Sequence, residues 1–307
     1  MGEKQMIPLF DGVGHPVWMD REEFRKEVIP QHLKAEWDHP EELYTFVVQI
    51  FRDGFVEEAD RGADRLLELY NRAEGVLLLK SLILLRKGKD EEAETLLREC
   101  MEKYPERGLA HTYMARIYDK RGDRERVIDW LRRGLELEPN QETALLWWVD
   151  LMIEEGGKSK AMNELKPLVE KEGAWWPKLI AGRLHLEEGD TSTAVHFFNN
   201  ALEWFRFQRE EQTPPSFDEE VALMTVVTLL SKHGCRDEVI MLCDQYWRAE
   251  YSTPFAVLDY AQALVEAGRV REAVDRLQQA VNFVLPEYVH LVEGKLAELK
   301  RKYSLKT

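Results

Sequence analysis

One short pattern, a glycine followed by four mostly polar residues and then alanine or valine, returns along most of this 307-residue chain. It reads GFVEEA at Gly54, GKDEEA at Gly88, GDRERV at Gly122, GGKSKA at Gly156, GDTSTA at Gly189, GCRDEV at Gly234 and GRVREA at Gly268. The intervals are 34, 34, 34, 33, 45 and 34 residues. A near-constant period of this length marks a stacked repeat, in which each supersecondary unit buries its apolar face only against its neighbours.

Each interval splits at its glycine into two stretches with helical apolar spacing. In the third, residues 108–141, Met114, Ala115 and Tyr118 precede the turn, and Val127, Leu131, Gly134 and Leu135 follow it. Pro139 closes the unit. Glycine suits a tight turn that needs positive φ, and a proline past the second helix stops that helix. The pattern resembles the tetratricopeptide repeat (TPR), whose small residue, turn glycine, alanine and closing proline correspond to Ala115, Gly122, Val127 and Pro139. The resemblance covers 40–285. It implies an all-α fold, an α-solenoid of seven helix-turn-helix units in a right-handed superhelix with capping segments at both ends.

On that frame the units are 40–73, 74–107, 108–141, 142–174, 175–208, 220–253 and 254–285. The small residue after the turn is then Ala59, Ala93, Val127, Ala161, Ala194, Val239 and Ala273, where two helices must approach closely. Two features depart from the pattern. Lys80 stands at a normally apolar position, and only Pro105 and Pro139 keep the closing proline.

Residues 1–39 form an N-terminal cap. In it, Asp11-Gly12 between short apolar runs reads as either a small hairpin or a tail, and Asp20-x-x-Glu23 opens a helix expected to end near Pro30. An insertion at about 207–219 carries the second helix of unit five past Trp204, breaks at Thr213-Pro214-Pro215 and restarts with a Ser216-x-x-Glu219 cap. Residues 286–307 read as a capping helix and basic tail, with Tyr288, Val289, Val292, Leu296 and Leu299 on one side and Lys295, Lys300, Arg301 and Lys302 elsewhere.

The formal charge of -15 argues against nucleic acid as a partner, since such binding rests on surplus Lys and Arg facing phosphate. The eight histidines show no HExxH spacing, and neither GxSxG nor a phosphate-binding glycine loop occurs, so no metal, cofactor or catalytic site is expected. Cys100, Cys235 and Cys243 are odd in number and lack CxxC spacing, which suggests neither a disulfide framework nor a zinc site. A reducing, cytoplasmic location is the corresponding expectation. The opening MGEKQMIPLF has no signal-peptide apolar core, and no run of 18 apolar residues occurs that could span a membrane.

At about 100° per residue, positions 4, 7, 8 and 11 of each first helix fall on one side and positions 2, 5, 6, 9, 12 and 13 on the other. The first set packs internally. The resemblance implies that the second lines a concave peptide-binding groove. This assigns Tyr44, Val48, Phe51, Arg52, Leu78, Leu82, Leu85 and Arg86 to it, followed by Thr112, Tyr113, Arg116 and Lys120. Leu146, Trp147, Asp150, Ile153, Trp176, Leu179, Arg183 and Leu186 continue it, and Met224, Thr228, Leu258 and Gln262 extend it. The adjacent tryptophans of LLWWVD therefore part company, Trp148 inward and Trp147 to the groove edge.

The lysines and asparagines of the chaperone-tail clamp known in this family are absent, since position 6 holds Thr45, Leu79, Tyr113, Trp147, Ile180, Thr225 and Asp259. The resulting expectation is a non-enzymatic scaffold or adaptor that binds an apolar-anchored peptide or protein segment. The alternatives are a structural homo-oligomer whose groove is covered by its own chain, and a regulatory subunit of an enzyme complex.

Overall fold

The computed structural model describes residues 6–10, 16–208 and 213–303. The Asp11-Gly12 turn, residues 209–212 of the insertion and the last four residues of the basic tail lie outside the described residues. The chain divides into two compact units, Met1–Glu138 and Pro139–Thr307.

In the first unit, β1 (Met6–Phe10) pairs antiparallel with β2 (Pro16–Asp20), Met6 opposite Asp20 and Phe10 opposite Pro16. The Asp20 side chain accepts the Glu22 and Glu23 amides at 3.0 and 3.2 Å, capping α1 (Arg21–Glu23) as its spacing predicts. The helix does not end near Pro30. It passes through a widened π turn, Phe24–Val28, into α2 (Ile29–Ala35). Pro30 has no N–H to give its helix and its ring crowds the preceding turn. The π turn directly upstream relieves this, with the Ile29 amide reaching back to Phe24. Phe24, Ile29 and Leu33 then bury into the core of the first helix pair. The Arg21 guanidinium covers the Phe55 ring at 4.0 Å, and Arg25 pairs with Glu58 at 2.7 Å.

Three helix pairs follow. They are α3 (Pro40–Arg52) with α4 (Val56–Leu69), α5 (Glu74–Arg86) with α6 (Asp90–Lys103), and α7 (Leu109–Lys120) with α8 (Arg124–Leu137). Each pair turns at a glycine of positive φ, Gly54, Gly88 and Gly122. The turn is closed by the residue after the glycine, whose amide bonds back over the helix end: Phe55 to Ile50, Lys89 to Leu84 and Asp123 to Tyr118 at 2.8, 2.9 and 3.0 Å.

Lys80, buried at 7% exposure, does not fill an apolar site. Its ammonium reaches across to α4, donating to Asp60 Oδ1 at 2.6 Å and pairing with Asp64, while Lys87 holds Asp60 Oδ2 at 2.6 Å. Burial works to raise the Asp60 pKa, but the hydrogen bonds from Lys80 and Lys87 outweigh it and hold the carboxyl below the usual aspartate range.

In the second unit, α9 (Glu142–Val169) is broken at two glycines. Gly157 has φ 75° and ψ -178°, whereas Gly156 has φ -159°, so the fourth unit turns one residue later than the repeat spacing indicates. The pairs α10 (Trp175–Glu187) with α11 (Thr191–Gln208), α12 (Phe217–Lys232) with α13 (Arg236–Tyr246) and α14 (Phe255–Glu266) with α15 (Val270–Ala280) follow. Their turns at Gly189, Gly234 and Gly268 use the same hydrogen bond as those of the first unit. A 3-10 turn, Pro286–Tyr288, leads into α16 (Val289–Lys302), where only Val292 and Leu299 are buried.

Across both units the seven small residues after the turns are buried, from Ala59 to Ala273. Trp148 is buried as its wheel position predicts. The insertion restarts as expected, with Ser216 Oγ accepting the Glu219 amide at 3.2 Å. The Glu219 side chain receives the Tyr251 hydroxyl at 3.2 Å. Beside it, buried Glu220 accepts the amides of Ser252 and Thr253 at 2.8 and 3.1 Å, fixing the loop that leads into α14.

Candidate functional site

The first helices carry the residues the wheel assigns to an open face, and their placements differ. Leu78, Thr112, Trp176 and Leu179 are buried and take part in packing, not in an open surface. Thr112 lies under α8, its Oγ1 3.1 Å from where a Gly134 side chain would begin. Trp176 stacks on Trp175 at 4.9 Å, and its amide donates to Asn140 Oδ1 at 3.0 Å. Lys120 is engaged as well, its ammonium on Leu85 O at 2.9 Å and Asp90 Oδ1 at 2.8 Å, tying the end of α5 to the start of α6.

Others are left available. In the first unit Tyr44, Leu82 and Tyr113 are half-buried, and Arg52, Arg86 and Arg116 are exposed. Three of these converge. The Tyr44 ring lies against Gly75 of α5, where a methyl group would come within 3.4 Å of its hydroxyl. The Arg116 guanidinium sits 5.5 Å from the centre of the Tyr113 ring. Burial pushes the Tyr113 hydroxyl pKa up, Arg116 pulls it down and Tyr44 adds to the rise, so the three groups feel one another from α3 and α7. Among the described residues none of the three makes a hydrogen bond or ion pair.

In the second unit Leu146 and Trp147 are half-buried and Asp150 is exposed. Trp147 makes no ring contact with Trp176 among the described residues. Arg183 is half-buried, with Nε 3.8 Å from Glu187 Oε1. A cleft of about 530 Å³ opens between α12 and α14. Met224, Thr225, Thr228, Leu229 and Lys232 line it from α12, and Phe255, Leu258 and Asp259 from α14. Met224, Thr228 and Leu258 are among the residues the wheel assigns to a groove. Thr225 and Asp259 also occupy a groove position of that wheel, and the signal available in the sequence was that position alone. Phe255 meets Tyr288 edge-on at 5.6 Å. Burial raises the pKa of half-buried Asp259, and Lys232 offsets this in part.

No group of three His, Cys, Asp or Glu among the described residues could hold a metal ion. The three cysteines are free. Burial pushes the Cys100 thiol up to about 11 and Cys243 well above its usual value, while Cys235 is partly exposed. No helix of the described residues is long and apolar enough to cross a membrane.

A family model described as tetratricopeptide repeat matches residues 76–107, which run from the first turn of α5 to just beyond α6. Residues 76–107 of the chain thus match a tetratricopeptide repeat. Among solved structures, this chain is similar to Naa15/Naa10 bound to HypK-THB, at 16% identity over 87% of this chain and 42% of that one, with a TM-score of 0.38. It is also similar to yeast Tom70, at 12% identity over 93% and 60% of the two chains, with a TM-score of 0.48. A third is YrrB, a TPR protein with an unusual peptide-binding site, at 17% identity over 58% and 92%, with a TM-score of 0.35. The chain thus spans under half of the first of these and three-fifths of the second. No curated protein matches it.

Proposed function

We propose that this TPR protein is a non-enzymatic interaction module that presents the open faces of its first helices to an extended or helical segment of a partner protein. The observation that carries this reading is the group Tyr44, Tyr113 and Arg116, whose side chains make no hydrogen bond or ion pair among the described residues. Aromatic and arginine side chains supply most of the energy at protein interfaces, and half-buried tyrosines lose little conformational freedom when covered. The three free cysteines accord with a reducing compartment such as the cytoplasm.

The test is affinity purification from the native cell with wild type and with Tyr113→Ala plus Arg116→Glu, followed by reconstitution of each captured protein with purified chain. At least one direct binder should be lost from the double variant while its helical content and melting temperature stay close to wild type. An identical set of direct binders would overturn the reading.

A second reading, association between copies of the chain, is favoured by exposed Phe283 and Leu285 at 50% and 42% exposure near the last helix pair. Sedimentation over a concentration series separates the two, because a strict monomer excludes it.

A further inference from the structure

The cleft between α12 and α14 contains an unexplained charge. In α14 the run FAVLDYAQALVE has one ionic side chain, Asp259, before Glu266. Asp259 lies beyond the first turn, so the helix dipole gives it little. It is half-buried and faces Met224, Leu258 and Phe255 in the cleft, and among the described residues it makes no hydrogen bond or ion pair. A carboxylate removed from water without a partner is costly, and the cost is recovered when a donor of opposite charge arrives. Lys232 does not serve as that donor. It is exposed near the end of α12, felt by Asp259 at a distance and not paired with it.

We infer that this cleft receives a lysine or arginine side chain from a partner segment, its charge on Asp259 and a neighbouring apolar residue of the segment on Met224, Leu258 and Phe255. Thr225 and Thr228 line the same wall, and a threonine hydroxyl can accept a remaining N–H group of a guanidinium. Lys232 at the rim repels a second cation, so the cleft selects one basic residue flanked by apolar ones in preference to a basic run. The chain's charge of -15 draws such a segment in. This inference rests on the reading of the chain as an interaction module and adds the chemistry of the segment.

Four fluorescein-labelled peptides, Ser-Gly-Leu-Xaa-Leu-Gly-Ser with Xaa arginine, lysine, norleucine or glutamate, are titrated with the full chain and followed by anisotropy. The arginine and lysine peptides should bind about tenfold tighter than the other two, the usual worth of one charge-assisted hydrogen bond. Asp259→Asn, which keeps the shape, should abolish that preference, and Asp275→Asn on exposed α15 should keep it. Sedimentation of each variant at the same concentrations reveals whether a second copy fills the cleft instead. The inference is overturned if the four peptides bind alike, if none binds, if the preference survives Asp259→Asn, or if copies of the chain occupy the cleft. The Tyr113 and Arg116 test lies in the other compact unit, so a failure here with partner loss there discards this inference alone.

Discussion

Gly157 and Gly156 are adjacent and alike in sequence, yet the backbone treats them differently. At φ 75° and ψ -178°, Gly157 occupies a region that essentially only glycine enters, while Gly156 at φ -159° and ψ 20° keeps a negative φ. Gly157→Ala should therefore lower stability by about 1–3 kcal/mol. Gly156→Ala should cost less, because φ there is negative and the nearest atom a methyl group meets, at 2.8 Å, is Cδ of the Lys160 side chain. Urea midpoints of the two variants decide it, and equal losses would restore the one-residue-earlier turn. Spacing alone cannot choose between neighbouring glycines, which is why the turn's residue was not legible although its existence was.

Lys80 poses the same question of legibility in electrostatic form. Its place at an apolar position is visible in the sequence, but the carboxylates that receive it, Asp60 and Asp64, come from the preceding helix. The native pKa of Asp60 is depressed, so its ionised form contributes stability above about pH 4 and that contribution is lost as pH falls through the native value. Asp60→Asn should thus be less stable than wild type at about pH 6, and the gap should narrow toward about pH 3. A gap independent of pH in urea melts would show that the pair contributes nothing through ionisation.

At the scale of helices, α5 and α10 explain which groove residues went under. A wheel divides a helix into an inner and an outer face, but a helix that is apolar all round is covered on both. In α5, Val76, Leu77, Leu78, Leu79, Ile83, Leu84 and Leu85 are all buried, and in α10 so are Trp175, Trp176, Leu179, Ile180, Leu184 and Leu186. Their composition already carried that signal. In contrast α3, α7, α12 and α14 keep an incompletely covered stripe, on which Tyr44, Tyr113, Met224 and Leu258 are half-buried. The α12–α14 cleft itself depends on the gap between two helices, which no single-helix pattern encodes.

Two substitutions test the packing of these elements. Trp148→Ala should cost about 3–5 kcal/mol as a cavity in the core, and Trp147→Ala, half-buried one residue earlier, substantially less. Gly182→Ala places a methyl group 2.4 Å from Phe198 Cε1 and should cost about 1–3 kcal/mol by overpacking, with Phe198→Leu restoring part of it. Thermal melts of the single and double variants measure the coupling.

For the molecule as a whole, stability in a repeat chain is close to a sum of unit and nearest-neighbour contributions. A core deletion should then be felt nearby first. Hydrogen exchange of Trp148→Ala should lose protection within 139–307 before 1–138, since Trp148 belongs to that compact unit; uniform loss would mean one cooperative block. The contrast among the thiols has a practical outcome at this scale. Two of them are buried with raised pKa values and the third, Cys235, stands at the first turn of α13 within reach of solvent. Thiolate is the reactive form, so a maleimide dye near neutral pH should settle on Cys235 alone. The natural chain thereby carries its own single attachment point for a spectroscopic probe, one pair of helices away from α14.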